Sequence, residues 1–220
     1  SVQLADTYEG EQLTGLWYAQ PKLDGNRVII LDGKAYSRNG KLYPAAQHII
    51  DELYSNKELD STWVFDGEMM GNLGFDQSSG ALRRLSEGGR KKAEFTYWVF
   101  DAMSRKEWEE RKTRSYGARQ QILEAIFHTS KGEWTKNVKV VPTIALMNPT
   151  HKQIMNLCDE YLEQGFEGAM LKDAAAPYHF KRAKNLLKVK RFYDADLAIV
   201  DFYEGKGKHK GRLGGIVVEG

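Results

Sequence analysis

Lys22 stands in the stretch "QPKLDGNRVII", residues 20–30, as K-x-D-G-x-R with Asp24, Gly25 and Arg27. A lysine becomes a nucleophile only when it loses its proton, and nearby cations or removal from water make that easier. Candidate cations recur downstream: Arg38 in "SRNGK", then Lys188 and Lys190 in "LLKVKRF". Residues two apart on a strand face the same way, so Lys188 and Lys190 would present two ammonium groups together. Such a pair repels itself unless an anion lies between, and a phosphate would serve. K-x-K on a strand also occurs as a plain solvated face. Two carboxylates share similar surroundings, Glu68 in "FDGEMM" and Glu167 in "GFEGAM". A glutamate among apolar strand residues is costly to bury alone, and a divalent cation, a ribose hydroxyl or a lysine would satisfy it. Taken singly, each is also an ordinary turn at a strand end. In "YWVFDAM" alternation puts Trp98 and Phe100 on one face and Tyr97 and Val99 on the other, for core packing or for stacking on a base.

Strands and helices must hold these groups. Runs rich in Val, Ile, Tyr, Phe and Trp, bounded by Gly, Asp and Asn, predict strands at 17–21, 27–31, 34–38, 63–70, 95–100, 139–144, 168–172, 186–190 and 197–202. "LDGK", residues 31–34, predicts a hairpin, because Asp-Gly suits the positive φ angles of a tight turn. Helices are predicted at 44–53, 111–127 and 150–164, the last closing before Gly165 as a C-cap. Strands outnumber helices and do not alternate with them, which predicts an α+β fold of mostly antiparallel sheets. A boundary is predicted near 191–196, followed by a strand, a basic Gly/Lys turn and a second strand. No repeat or low-complexity tract is present.

Composition excludes several classes. A chain of 220 residues, 41% of them hydrophobic, is large enough for a real core. The net charge of only +2 says little about partners, but from Lys172 onward eleven Lys and Arg face six Asp and Glu. That local excess suits a phosphate backbone or a solvated basic surface. Cys158 is the only cysteine, so no internal disulfide or cysteine metal site exists. The five histidines are scattered without ligand spacing. Apolar runs are strand-sized, too short to span a membrane, and the opening "SVQLADTYEGEQL" carries no secretion-like core.

The order of the motifs is more specific than any one of them. Lys22-Leu-Asp24-Gly25-Asn-Arg27, "SRNGK", "DGE", "FD", "EG" and "KVK" follow in series over almost the whole chain. The ladder resembles that of the covalent nucleotidyltransferases and specifically the ATP-dependent DNA ligases, and "GFDQSSGALRRL" looks most like small bacteriophage-type members. The resemblance implies an adenylation (nucleotidyltransferase) domain of two antiparallel β-sheets flanked by helices at 1–192, then the start of an oligonucleotide-binding (OB-fold) β-barrel at 193–220. It implies that Lys22 takes AMP from ATP, with Asp24 in its motif, and passes it to the 5′-phosphate of nicked duplex DNA. By the same likeness Arg27 and Arg38 contact nucleotide and nick phosphate, Glu68 the ribose and Phe100 the adenine ring. Gln20 reads the adenine amino group, and Lys188 and Lys190 contact the α-phosphate. Glu68 and Glu167 are the implied ligands of Mg²⁺ or Mn²⁺. Arg38, Arg83, Arg84, Lys206, Lys208, Lys210 and Arg212 are the implied DNA contacts. A monomer in the cytoplasm of a bacterial or phage-infected cell, with no membrane partner, is expected.

Rival readings differ at named positions. A nicotinamide-dependent ligase needs a further N-terminal domain, for which the 21 residues before Lys22 leave no room, and its branch usually lacks an arginine at the place of Arg27. Capping enzymes typically read K-T-D-G where this chain has Leu23, and RNA ligases often lack the matching arginine. A non-catalytic nucleic-acid-binding protein would be expected to have lost Lys22 or an acidic partner. The family's final basic motif, which orients pyrophosphate, would fall beyond Gly220, so poor reaction with free ATP is expected of this stretch alone.

Overall fold

The computed structural model describes residues 1–71, 95–129, 132–191, 198–205, 210–211 and 213–219. In chain order the elements are β1 (Leu4–Thr7), β2 (Leu16–Pro21), β3 (Asn26–Leu31), β4 (Lys34–Ser37), α1 (Gln47–Ser55) and β5 (Trp63–Gly71). Next come β6 (Phe95–Ser104), α2 (Arg105–Glu110), α3 (Tyr116–Phe127), β7 (His128–Thr129), β8 (Gly132–Glu133), β9 (Val138–Val140) and β10 (Ile144–Met147). The chain continues with α4 (His151–Glu163), β11 (Ala169–Asp173), β12 (Arg182–Val189), β13 (Ala198–Glu204) and β14 (Leu213–Glu219).

Local chemistry explains several boundaries. The β3–β4 turn has Asp32 at φ 51° and Gly33 at φ 69°, the two left-handed residues that the Asp-Gly pair predicts. Thr150 accepts from the Gln153 N–H while the Gln153 side chain bonds back, closing a capping box at the start of α4. At the other end Gly165 turns left-handed, with N–H bonds from Gly165 to Leu162 and from Phe166 to Tyr161, so the last carbonyls are satisfied. The predicted helix at 111–127 begins later, as α3 at Tyr116, and a short helix that the sequence reading lacked, α2, precedes it. Arg111 closes α2 in a left-handed conformation, and Ser115 caps α3 through the Ala118 N–H.

Two five-stranded sheets build the unit formed by residues Ser1–Lys190, in the orders β1-β12-β11-β2-β10 and β4-β3-β5-β6-β9. They are mixed, not purely antiparallel: β1 runs parallel to β12, and β9 parallel to β6. The reason is connectivity. β9 returns to β6 by way of α2 and α3, and β1 meets β12 from the far end of the chain, so no hairpin dictates either direction. The predicted strand at 139–144 also divides, into β9 in one sheet and β10 in the other. Pro142 lies at the break, where its missing N–H cannot continue a ladder.

Each sheet buries one face under helices. Val28, Ile30, Phe65, Tyr97 and Val99 pack on Ile49 and Leu53 of α1 and Leu123 and Phe127 of α3. Trp17, Ala19, Leu171 and Leu187 pack on Ile154, Cys158 and Tyr161 of α4. Trimming such a residue, Leu123→Ala for instance, costs about 2–5 kcal/mol. Residues Arg191–Gly220 form a separate unit, in which β13 and β14 pair antiparallel with Phe202, Tyr203, Leu213, Ile216 and Val217 exposed. Among the described residues no helix is long and apolar enough to cross a membrane.

Candidate active site

The faces not covered by helices bound a cleft with about 660 Å³ of free space, part of it open to solvent. Gln20, Lys22, Met170, Lys172 and Leu186 line it from the first sheet, and Arg27, Glu68 and Phe100 from the second.

The first sheet works by alternation and register. Positions 18, 20 and 22 of β2 and its extension face one way. Gln20 stands opposite Met170, and Met170 opposite Lys188, so Lys188 shares that face. One step on, the Lys22 N–H bonds Gly168 O at 2.8 Å and the Glu167 N–H bonds Lys22 O at 3.1 Å. This backbone clasp brings the Lys22 ammonium and the Glu167 carboxylate into an ion pair, both partly exposed. Gly168 makes the approach possible: its φ is +141°, and a Cβ there would lie 2.1 Å from Val189 O. Burial pushes the Glu167 carboxyl up, but the bond and charge of Lys22, with Lys190 and Asp24 beyond, hold it below its ordinary range.

The second sheet supplies a fixed arginine. Arg27 Nε donates to Asp66 Oδ1 at 2.5 Å and its Nη2 to Oδ2 at 2.5 Å, a two-point grip on a fully buried carboxylate. Tyr178 Oη donates to Asp66 Oδ2 at 2.7 Å, and Arg27 Nη2 also reaches Gln3 O at 3.0 Å. Asp66 lies opposite Asp101 in the β5–β6 ladder, a repulsive pairing. Each is neutralised separately, Asp101 by Arg119 Nε at 2.8 Å. Arg27 stands opposite Glu68, which accepts from the Gly25 N–H at 3.1 Å. Burial pushes the Glu68 carboxyl up to about 7, against the pull of Arg27, the Gly25 N–H and Lys22. A Cβ on Gly25 would lie 2.3 Å from Met69 O, so the glycine of K-x-D-G is what lets the motif pack on β5.

At the far end the β5–β6 register skips Phe100, one extra residue on β6. A bulge of this kind re-aims a side chain. The ring lies 5.1 Å from the Arg27 guanidinium and 4.3 Å from Lys172 Nζ. Lys172 also donates to Phe100 O at 3.2 Å and sits 4.7 Å from the Tyr116 ring. Burial brings the Lys172 amine down to about 8, although Asp101 and Asp66 oppose the fall. Gln20, 2% exposed, donates from Nε2 to Tyr116 Oη at 2.8 Å and to Thr143 Oγ1 at 3.0 Å.

Gln20, Lys22, Arg27, Glu68 and Phe100 therefore meet in one cleft, with Glu167 paired to Lys22 and Lys190 near that carboxylate. Asp24 follows Lys22 in the same turn. Arg38 is exposed in the turn after β4 and does not line the cleft, and Lys210 is exposed in the other unit. Arg83, Arg84, Lys206, Lys208 and Arg212 lie outside the described residues. Among the described residues no three acidic, histidine or cysteine side chains form a ready metal cage. Mg²⁺ does not require one, since it is commonly held by one or two carboxylates together with substrate phosphates. Sequence reasoning missed Asp66, Lys172, Tyr116, Thr143 and Tyr178. Asp66 lay within a motif already singled out, "FDGEMM", and Lys172 two residues past another, "GFEGAM", whereas Tyr116, Thr143 and Tyr178 carried no local signal.

A family model described as "ATP dependent DNA ligase domain" matches residues 4–190. DNA ligase 1 of Saccharomyces cerevisiae is 26% identical over 240 residues, 98% of this chain and 30% of that protein. The DNA ligase of Enterobacteria phage T4 is 36% identical over 74 residues, 30% of this chain and 15% of that protein. The solved structure of Pmar-Lig_PreS3 superposes with a TM-score of 0.80 at 29% identity, covering 100% of this chain and 53% of that one. The chain spans less than a third of each of these two relatives.

Proposed function

This chain belongs to the ATP-dependent DNA ligase domain family, and on that premise we propose that Lys22 carries AMP from ATP to the 5′-phosphate of a nick in duplex DNA. The neutral Lys22 Nζ attacks the α-phosphorus, forming a P–N bond as the bond to pyrophosphate breaks. Glu167, its ion-pair partner, is the nearest acceptor for the proton. The 5′-phosphate oxygen next attacks the same phosphorus, breaking the P–N bond and making a pyrophosphate-linked DNA adenylate. Attack by the 3′-hydroxyl then closes the strand and releases AMP.

Such transfers depend on positioning and on neutralising phosphate charge rather than on complex covalent steps. Arg27, held by Asp66, contributes an already oriented cation, and Lys188 and Lys190 neutralise the α-phosphate. Glu68 takes the ribose, Phe100 stacks on the base and Gln20 reads its amino group. Glu167 and Glu68 are the carboxylates for Mg²⁺, which supplies further charge neutralisation at the phosphates when bound. Arg38, Arg83, Arg84, Lys206, Lys208, Lys210 and Arg212 contact DNA phosphates. Residues 1–192 serve as the adenylation domain, and 193–220 begin an OB-fold barrel in a cytoplasmic monomer.

The observation that supports this reading best is the convergence of Lys22 with Gln20, Arg27, Glu68 and Phe100 on one cleft. Intact-protein mass spectrometry tests it. Incubation with ATP and Mg²⁺ is expected to add one AMP, about 329 Da, to a version extended past Gly220 to carry the family's final basic motif, and nothing to its Lys22→Ala variant. Nicked DNA should then strip the adduct. An adduct that survives in Lys22→Ala would overturn the assignment.

A further inference from the structure

We infer that the hydroxyls of Tyr116 and Thr143 lock the Gln20 side-chain amide in one orientation, so that the cleft selects a purine with an amino group at position 6 over one with a carbonyl there. This rests on the reading of Gln20 as the base-contacting residue and adds the physical reason for its choice.

An amide side chain is ambiguous by shape, because its oxygen and nitrogen ends are nearly the same size; only its partners decide which way it faces. The two partners of Gln20 are hydroxyls, which can donate or accept, so the question is where their protons go. Thr143 Oγ1 donates to Val141 O at 2.8 Å. Tyr116 Oη has Phe100 O at 3.1 Å and Gln120 Oε1 at 3.0 Å as acceptors for its single proton. Both protons are thus committed to carbonyl oxygens, and what each hydroxyl offers Gln20 is a lone pair. The –NH₂ end answers both, at 2.8 and 3.0 Å. Its Oε1, which accepts from none of the described residues, is left to the cleft that Gln20 lines.

Turning the amide over would set its oxygen against two hydroxyl oxygens with no proton to share. Burial makes that costly, since Gln20 and Tyr116 are 2% exposed. A fixed carbonyl oxygen accepts a hydrogen bond from a 6-amino group and faces a 6-oxo group oxygen to oxygen. A site that rejects through an unpaired polar group discriminates far better than one that rejects through shape. The lock is spread over three elements: Gln20 on β2, Tyr116 at the start of α3, and Thr143 between β9 and β10.

The test compares ATP with inosine triphosphate, whose base differs at position 6 and the adjoining N1–H. Equilibrium binding of each to the full chain is measured by titration calorimetry, and adduct formation with each by mass spectrometry. The wild type is expected to prefer ATP by about 100-fold or more. The double variant Thr143→Val/Tyr116→Phe should lose at least about tenfold of that preference, because its Gln20 amide is free to turn. Thr143→Ser, which keeps the hydroxyl, should retain the preference. A ratio unchanged in the double variant, with both affinities falling together, would reduce the hydroxyls to a structural role and overturn the inference. Equal binding of both nucleotides by the wild type would overturn it as well, and no binding of either would overturn it together with the nucleotide reading. Selective binding without any adduct would uphold the lock, which does not depend on the transfer step.

Discussion

The two ends of the cleft are built differently. At the proposed base end, Gln20, Tyr116, Lys172 and the Asp101–Arg119 pair are buried, and each is held by hydrogen bonds within the protein. At the proposed phosphate end, Lys22 and Glu167 remain partly exposed, with side-chain exposures of 21% and 32%. The first arrangement resists change, because every group would have to leave a satisfied position in a low-dielectric setting. The second is a single ion pair near water, which a phosphate or a cation can open at small cost. In the proposed reaction, recognition is set in advance, while Lys22 is held by a bond that substrate can replace.

Substitutions can break this contrast, beginning with the most severe. Lys22→Ala should abolish the AMP adduct outright while changing folding free energy by no more than about 0.5 kcal/mol, as expected of a partly exposed side chain. A large loss of stability in urea titration would show that Lys22 is structural. Asp66→Asn acts in the opposite sense. It leaves Arg27 without its buried counter-charge and should cost about 3–5 kcal/mol in the same titration. A loss below about 1 kcal/mol would mean that Arg27 is not held as the geometry indicates.

Glu68→Gln carries a pH signature. The Glu68 carboxyl lies at about 7 in the fold, above its ordinary 4.5. Its contribution to stability is therefore complete below pH 4.5 and is lost as pH rises through about 7. Glutamine removes the cost of ionisation, so the variant should gain at most about 3 kcal/mol over wild type at pH 8, with that gain vanishing near pH 4. Thermal melts across this range check it, and a difference independent of pH would refute the burial account. Glu167→Gln should likewise have little effect on folding, under about 1 kcal/mol. It should nonetheless slow adduct formation by about tenfold or more, because Lys22 loses both its anchor and its proton acceptor. Single-turnover mass spectrometry separates the two effects.

Much of the phosphate end was legible because its residues lie close together in sequence. Lys22, Gly25 and Arg27 belong to one turn and the strand after it, and Asp32-Gly33 announced the hairpin that follows. The likeness to ATP-dependent DNA ligases, read from the ladder running from Lys22 to Lys190, is borne out by the family match over residues 4–190. The base end was far less legible. Phe100 was recognisable in the ladder, but the bulge that turns it depends on the pairing of Asp66 with Asp101, and Tyr116 and Thr143 stand 96 and 123 residues from the Gln20 they hold. Hydroxyls acquire direction only from such partners. The parallel edges of both sheets were missed for a similar reason, since β1 and β9 are placed by distant strands rather than by their own hairpins.

Sequence alone determined which groups are available to the proposed chemistry: a lysine, its cations and carboxylates, and the glycines of its motifs. Period-two alternation placed Lys188 and Lys190 on one face before any fold was known. Tertiary structure decided what each group can do. It joined Lys22 to Glu167 through a glycine with no room for a side chain, pinned Arg27 on Asp66, and turned Gln20 by two committed hydroxyls. The physical reason is that residue type and local spacing are properties of the chain, whereas desolvation, ion pairing and hydrogen-bond direction depend on neighbours that only the closed fold supplies.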